Sequence, residues 1–183
     1  MLQFIKDKKM NINIKNLNTI VFDCSQMRNA CEIKGQMKKL GITDYCYAFT
    51  YNGTVMKFGQ SGDNDWQKGS YGERIYRQAH HIPGWPTIAS PGSAGGDMRK
   101  ITPKFPGINK NGVFIKVWDM TGYPFSVAHD HRHELTVLEN QLIQEHIKQF
   151  GYQPIGNVRD ESKITKKTRV TDQMFDSLFD TVE

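Results

Sequence analysis

Two short apolar runs, Tyr45-Cys46-Tyr47-Ala48-Phe49-Thr50 and Val55-Met56-Lys57-Phe58-Gly59, lie on either side of Asn52-Gly53. Aromatic and β-branched residues flanking Asn-Gly predict a β-hairpin, because Asn and Gly accept the left-handed backbone of a tight turn. A third run, Val113-Phe114-Ile115-Lys116-Val117-Trp118, follows Asn111-Gly112 and predicts a third strand. Apolar residues at three- and four-residue spacing (Met27, Ala30, Cys31, Ile33, Met37) predict a helix over 25–40, capped by Ser25, weakened by Gly35 and closed by Gly41. A second helix is expected over 70–81, ended by Pro83-Gly84. A third, from about His133 to Phe150, carries Leu135, Leu138, Leu142, Ile143, Ile147 and Phe150 and stops at Gly151.

The rest of the chain is less patterned. Residues 1–20, with scattered Ile12, Ile14 and Ile20, read as a loose arm or a short edge strand. Residues 82–109 hold five prolines and five glycines without periodicity and read as a long insertion loop. The C-terminal stretch has a basic run (Lys163, Lys166, Lys167, Arg169), then a short amphipathic helix with Phe175, Leu178, Phe179 and Val182. The predicted fold class is α/β (α+β): a small three-stranded antiparallel sheet flanked by helices, in the order strand–strand–helix–strand–helix. An N-terminal arm and helix (1–44), a central domain (45–157) and a C-terminal extension (158–183) organise the chain.

Loop length decides which hairpin residues meet. A two-residue Asn52-Gly53 turn pairs Tyr47 with Phe58 and sends Lys57 to the other face. A three-residue loop, Tyr51 to Gly53 with Gly53 left-handed, pairs Tyr47 with Lys57. That register gathers Cys46, Ala48, Met56 and Phe58 on an apolar face and leaves Tyr45, Tyr47, Lys57 and Gly59 on the other. The three-residue loop is the expectation.

Composition changes this picture little. A net charge of +5 over 183 residues and a pI near 9.0 suit a partner bearing phosphates. Three cysteines (Cys24, Cys31, Cys46) with no Cys-x-x-Cys pair argue for reduced thiols in a cytoplasmic protein. No apolar run approaches the roughly 20 residues of a membrane span, and the N-terminus (Lys6, Asp7, Lys8, Lys9) has no signal-peptide core.

One carboxylate stands out. At about 100° per residue, Glu139 falls in the middle of the apolar stripe of the 133–150 helix, between Leu135 and Ile143, with Glu134 and Glu145 towards its flank. A carboxylate there needs either a basic partner or a hard divalent cation. His146, on the same stripe, reads as a satisfied core histidine.

Tyr47 precedes Lys57-Phe58-Gly59 by ten residues. Gln60-Ser61, Arg74-Ile75, Glu139 before Leu142-Ile143 and Pro154-Ile155-Gly156-Asn157 follow in order. This series resembles the GIY-YIG nuclease superfamily, in its restriction-endonuclease-like or phage and mobile-element forms. Tyr45-Cys46-Tyr47 stands where Gly-Ile-Tyr is usual, and Lys57 replaces the second tyrosine.

The resemblance implies a DNA endonuclease that hydrolyses phosphodiester bonds with one Mg²⁺ or Mn²⁺ on Glu139. Tyr47 and Lys57 supply the base side, either one being the base, and Arg74 braces the phosphoryl charge. Arg77 is the alternative arginine. The family places His or Tyr four residues later, which is Gln78 after Arg74 and His81 after Arg77. Tyr45, Gly59, Ser61, His80 and Asn157 are supporting positions. Arg99, Lys100, Lys104 and Trp85 in the Gly/Pro-rich segment are natural nucleic-acid contacts. The implied partner is double-stranded DNA, with a homodimer left open.

Two other readings stay open. The chain could be a non-catalytic nucleic-acid-binding module, in which Lys57 and the arginines contact phosphates only. His129, His131 and His133 could instead hold a transition metal, provided that their segment is extended.

Overall fold

The computed structural model describes residues 12–62, 71–86, 96–124 and 131–157. Four strands, β1 (Thr19–Asp23), β2 (Tyr45–Tyr51), β3 (Thr54–Ser61) and β4 (Val113–Asp119), form one antiparallel sheet in the order β1-β4-β2-β3. Helices α1 (Cys31–Leu40), α2 (Glu73–Ala79), α3 (Gly96–Ile101) and α4 (His131–Phe150) accompany it. The mixed α/β class and the three predicted strands are present. The fourth, β1, corrects the three-stranded expectation: it pairs Phe22 with Ile115 and forms the edge beside β4.

Both faces of the sheet are covered. On one, Tyr45, Tyr47, Phe49, Ile115 and Val117 pack with Ile33 and Met37 of α1, Ile75 of α2 and Met98 of α3. On the other, Cys46, Ala48, Phe58 and Trp118 pack under Leu135, Leu138 and Leu142 of α4. Alternation along β2 therefore feeds two cores, which is why six of its seven residues are buried.

The hairpin corrects the expected register in two steps. Asn52 (φ 45°) and Gly53 (φ 74°) both occupy left-handed backbone between paired Tyr51 and Thr54. The connection is thus the two-residue turn, whose handedness matches the twist of the strands. A β-bulge then places Val55 and Met56 against Thr50, so that Phe49 faces Lys57 and Tyr47 faces Gly59. Tyr47 and Lys57 end on the same face after all, two pairs apart rather than opposite. Met56 joins their face, not that of Cys46, Ala48 and Phe58.

Helix α1 begins at Cys31 rather than Ser25. The reason is local. The Asp23 carboxylate accepts the Ser25 N–H at 2.9 Å, closing a 3₁₀ turn at Cys24–Gln26. The Lys110 Nζ then donates to the carbonyls of Cys24 (3.1 Å), Ser25 (3.4 Å) and Met27 (2.9 Å). The Cys24 carbonyl also takes the Met27 N–H of that turn, and all three carbonyls turn to an ammonium rather than to the amides of a continuing α-helix. Gly41, left-handed at φ 70°, closes the helix as expected. Replacing Lys110 with Met takes the ammonium from all three carbonyls and leaves Cys24 only the Met27 N–H. The expected cost is about 2–3 kcal/mol, read as a lower urea midpoint with an unchanged denaturant slope.

The 82–109 segment is not a single loop. Helix α3 and a 3₁₀ turn at Thr102–Lys104 occupy part of it, anchored by buried Met98 and Ile101. Trp85 is buried too. Its indole N–H donates to the Ala79 carbonyl at 3.0 Å, and the Lys110 ammonium lies 5.2 Å from its ring. It is a core residue, not a nucleic-acid contact. The three cysteines are free, Cys24 and Cys46 buried and Cys31 exposed. Among the described residues no helix is long and apolar enough to cross a membrane. The N-terminal residues 1–11 and the basic run with its amphipathic segment lie outside the described residues.

Candidate active site

Strand β3 carries Lys57, Gly59 and Ser61 on the face that holds Tyr45 and Tyr47 of β2, pairing Tyr47 with Gly59 and Tyr45 with Ser61. Gly59 is required here. A Cβ at that position would lie 2.4 Å from Cζ and Oη of Tyr47, so the phenol ring rests directly on the strand backbone. The phenol is fully buried, and Gln78 of α2 donates its amide N–H to the Tyr47 Oη at 2.8 Å. The face expected to lie open to a phosphate is therefore covered over both tyrosines.

Lys57 is 5% exposed. Its stem runs beneath Gly156, where a Cβ would come within 2.7 Å of the Lys57 Cβ and 2.5 Å of Ile101. Asn157 fixes this wall. Its side-chain amide accepts the Phe58 N–H at 2.7 Å and donates to the Phe58 carbonyl at 3.0 Å, satisfying the outer edge of β3.

The two candidate arginines differ. Arg74 is exposed at the start of α2, and its charge is felt by Tyr45, Tyr47 and Glu139. Arg77, one turn on, is tied to Glu73 at 2.8 Å. His81 belongs with another group: burial, Arg99 and His80 hold it below the ordinary histidine value. The ring of His80 packs against that of Tyr76 at a tilt of 40°, centroids 5.0 Å apart. Arg99, Lys100 and Lys104 are exposed on and after α3.

On α4 the deeply buried line is Glu134, Leu135, Leu138, Leu142 and His146, while Glu145 is exposed. Glu139 is half-buried at the margin of that line, not at its centre, and Glu134 is the more enclosed carboxylate. This margin suits chemistry, since a carboxylate at the centre would be sealed from any ligand. Burial raises Glu139 above the ordinary carboxylate range, against the pull of Lys57 and then Arg74. Among the described residues no ion pair closes on it. His146 is the satisfied core histidine expected, its Nδ1 2.9 Å from the Tyr152 carbonyl oxygen.

Tyr45, Tyr47, Lys57, Arg74 and Glu139 thus share one electrostatic neighbourhood built from β2, β3, α2 and α4. Burial, ahead of all other influences, holds both phenols well above the usual tyrosine value. A single half-buried carboxylate fits Mg²⁺ or Mn²⁺, which bind through one or two carboxylates and substrate phosphates and retain water. It does not fit a closed transition-metal cage. Among the described residues no three His, Cys, Asp or Glu side chains gather. His131 and His133 begin α4, a helix rather than the extended segment their spacing requires, and His129 lies outside the described residues.

Of the two positions that the resemblance left open, Gln78 is the one that meets Tyr47. With Ile75 and Ala79 it forms the buried side of α2, where an amide needs a partner. Set against protein families, curated proteins and solved structures, the chain has no match.

Proposed function

We propose that the protein is a metal-dependent DNA endonuclease, as its resemblance to the GIY-YIG superfamily implies. The observation that carries this reading is Glu139. It is a half-buried carboxylate, closed by no ion pair among the described residues and coupled to both Lys57 and Arg74. Phosphodiester hydrolysis needs this combination: an anchor for a hard cation, cations for the phosphoryl oxygens, and proton-carrying groups beside the attacking water.

Glu139 would hold the Mg²⁺ or Mn²⁺ ion, which when bound supplies Lewis-acid stabilisation of the leaving oxygen. Arg74, exposed at the start of α2, would meet the non-bridging oxygens with its planar fork. Lys57 and Tyr47 are the base side in this reading, both enclosed in the folded chain. Gly59 lets Tyr47 lie flat against the strand, and Asn157 holds the β3 edge on which Lys57 is mounted. The exposed Arg99, Lys100 and Lys104 serve as phosphate contacts that position double-stranded DNA.

The test is direct. The purified chain, given supercoiled plasmid and a panel of linear duplexes with Mg²⁺ or Mn²⁺, is expected to nick or cut. Binding across the whole panel without cleavage in either metal would overturn the enzyme reading and leave a nucleic-acid-binding module.

A further inference from the structure

The two edges of the sheet differ. At β3 the outward N–H and carbonyl of Phe58 are both taken by the Asn157 amide. At β1 the outward groups belong to Thr19, Val21 and Asp23. The Asn18 carbonyl accepts the Asp119 N–H at 2.9 Å, and bonding alternates along an antiparallel ladder. Ile20 and Phe22 therefore turn their main-chain groups to β4, and the residues between them turn theirs outward. Among the described residues nothing bonds the Thr19 and Val21 carbonyls or the Val21 and Asp23 N–H groups on that side.

Natural edge strands are blunted by lysine, proline, a bulge or a covering element. Thr19-Ile20-Val21-Phe22-Asp23 holds no lysine or proline and pairs with β4 in unbroken register. Its flank is apolar as well. Val21 is 57% and Phe114 38% exposed, two of the three exposed large hydrophobics among the described residues. They share a face, because Val21 pairs with Lys116 and Phe114 lies two residues before it on β4.

We infer that β1 is an interface for a second copy of this chain, joined edge to edge about a two-fold axis at Val21. The strand is its own complement. Such an axis sets Val21 against itself, Ile20 against Phe22, and Thr19 against Asp23 of the second copy. The axis needs a residue whose main-chain groups point outward, and Val21 is one. Centred on Ile20 or Phe22, whose groups are committed to β4, the ladder does not form. Each Val21 N–H then donates to the other Val21 carbonyl, and each Asp23 N–H to the Thr19 carbonyl of the other copy.

Charge is matched too. Each Asp23 carboxylate stands beside a Thr19 hydroxyl, and the two carboxylates lie at opposite ends of the ladder rather than facing each other. Both faces of the seam are apolar: Val21 and Phe114 meet their counterparts on one, and half-buried Ile20 meets Phe22 on the other. β3 is at the opposite edge of the sheet, so the pairing leaves Lys57 clear and involves neither metal nor nucleic acid. A strand of 5 residues falls well short of the roughly 20–30 residues a side of a standard interface. The dimer is therefore reversible, and its population follows concentration.

Sedimentation velocity on the full chain, from about 1 µM to about 1 mM, is expected to show monomer passing into dimer. Over that range the Val21 and Asp23 amides are expected to slow severalfold in hydrogen exchange. Those of Ile20 and Phe22, already bonded to β4, stay unchanged. Val21→Lys places two ammonium groups face to face at the axis. It is expected to remain monomeric throughout, with an unchanged far-UV circular dichroism spectrum because the side chain is exposed.

In a Cys31→Ser background, Val21→Cys is expected to form a disulfide-linked dimer on mild oxidation. The Cα atoms of such a pair lie about 5.5 Å apart, within disulfide reach. Leu40→Cys, as exposed but on α1, is expected not to link. A wild type that stays monomeric at every concentration overturns the inference. So does a dimer that survives Val21→Lys, or one in which Leu40→Cys links as readily as Val21→Cys. Should Val21→Lys fail to fold, the cysteine pair decides alone, and no link through Val21→Cys overturns it.

Discussion

Glu139→Gln is expected to abolish metal-dependent DNA cleavage, by roughly a thousandfold or more, while raising the melting temperature. The two effects share one cause. Glutamine keeps the size and hydrogen-bonding capacity of the side chain but removes the anionic oxygens that would hold a hard cation. The stability change follows from linkage. Burial sets the folded pKa of Glu139 above its ordinary value, so the folded chain binds more protons there than the unfolded chain. Stability therefore falls as pH rises from the ordinary glutamate pKa through the raised one. Glutamine removes that loss at neutral pH, worth about 2–4 °C for each kcal/mol recovered in a chain of this size. Plasmid cleavage and thermal scans at pH 4 and pH 7 check both halves. The gain should vanish at the lower pH, and cleavage persisting in the variant would reassign the metal anchor.

Arg74→Ala and Arg77→Ala, one helical turn apart, are expected to behave as opposites. Arg74 is exposed with its charge felt by Glu139 and both buried tyrosines. Its loss costs little stability but removes a cation aimed at the charge that grows during the reaction, lowering the rate about 10²–10³-fold. Arg74→Lys should recover only part, because an ammonium does not reproduce the planar fork. Arg77 is half-exposed and paired with Glu73. Its loss removes a surface pair worth about 0.3–0.5 kcal/mol and leaves the cleavage rate within twofold. Comparable losses in the two variants would point to general weakening of phosphate binding, and repeating the assay at raised salt would show it as a reduced salt dependence.

What sequence made legible was mostly local. Asn52-Gly53 identifies a turn because few residues tolerate the backbone it needs, and α4 declares itself over five turns of apolar spacing. Helix α3 did not, because six residues give one pair of periodic positions, Met98 and Ile101, amid glycines and prolines. Strand β1 was blurred for a related reason: Phe22 is its only deeply buried residue, so its alternation had one term. Glu139 was correctly drawn to the apolar side of its helix, but its depth was overestimated. Helical geometry gives an angle, whereas exposure depends on which neighbour overlies that angle. The register of the hairpin was beyond local reasoning, since a bulge at Met56 carries no glycine to announce it.

That bulge has a consequence for how the hairpin tolerates change in length. Pairing between antiparallel strands keeps the sum of partner numbers constant, and an odd sum sets side chains ten residues apart on opposite faces. The turn alone gives 51 and 54, an odd sum; beyond Met56 the pairs are 49 and 57, an even one. Deleting Met56 would leave every ladder partner beyond it in place, whereas inserting one residue elsewhere in β3 between the bulge and Lys57 would turn Lys57 away from Tyr47. Sequence drift in this hairpin is therefore asymmetric: the extra residue may be lost where it stands, but a further single residue in β3 is admitted only if a second compensates it.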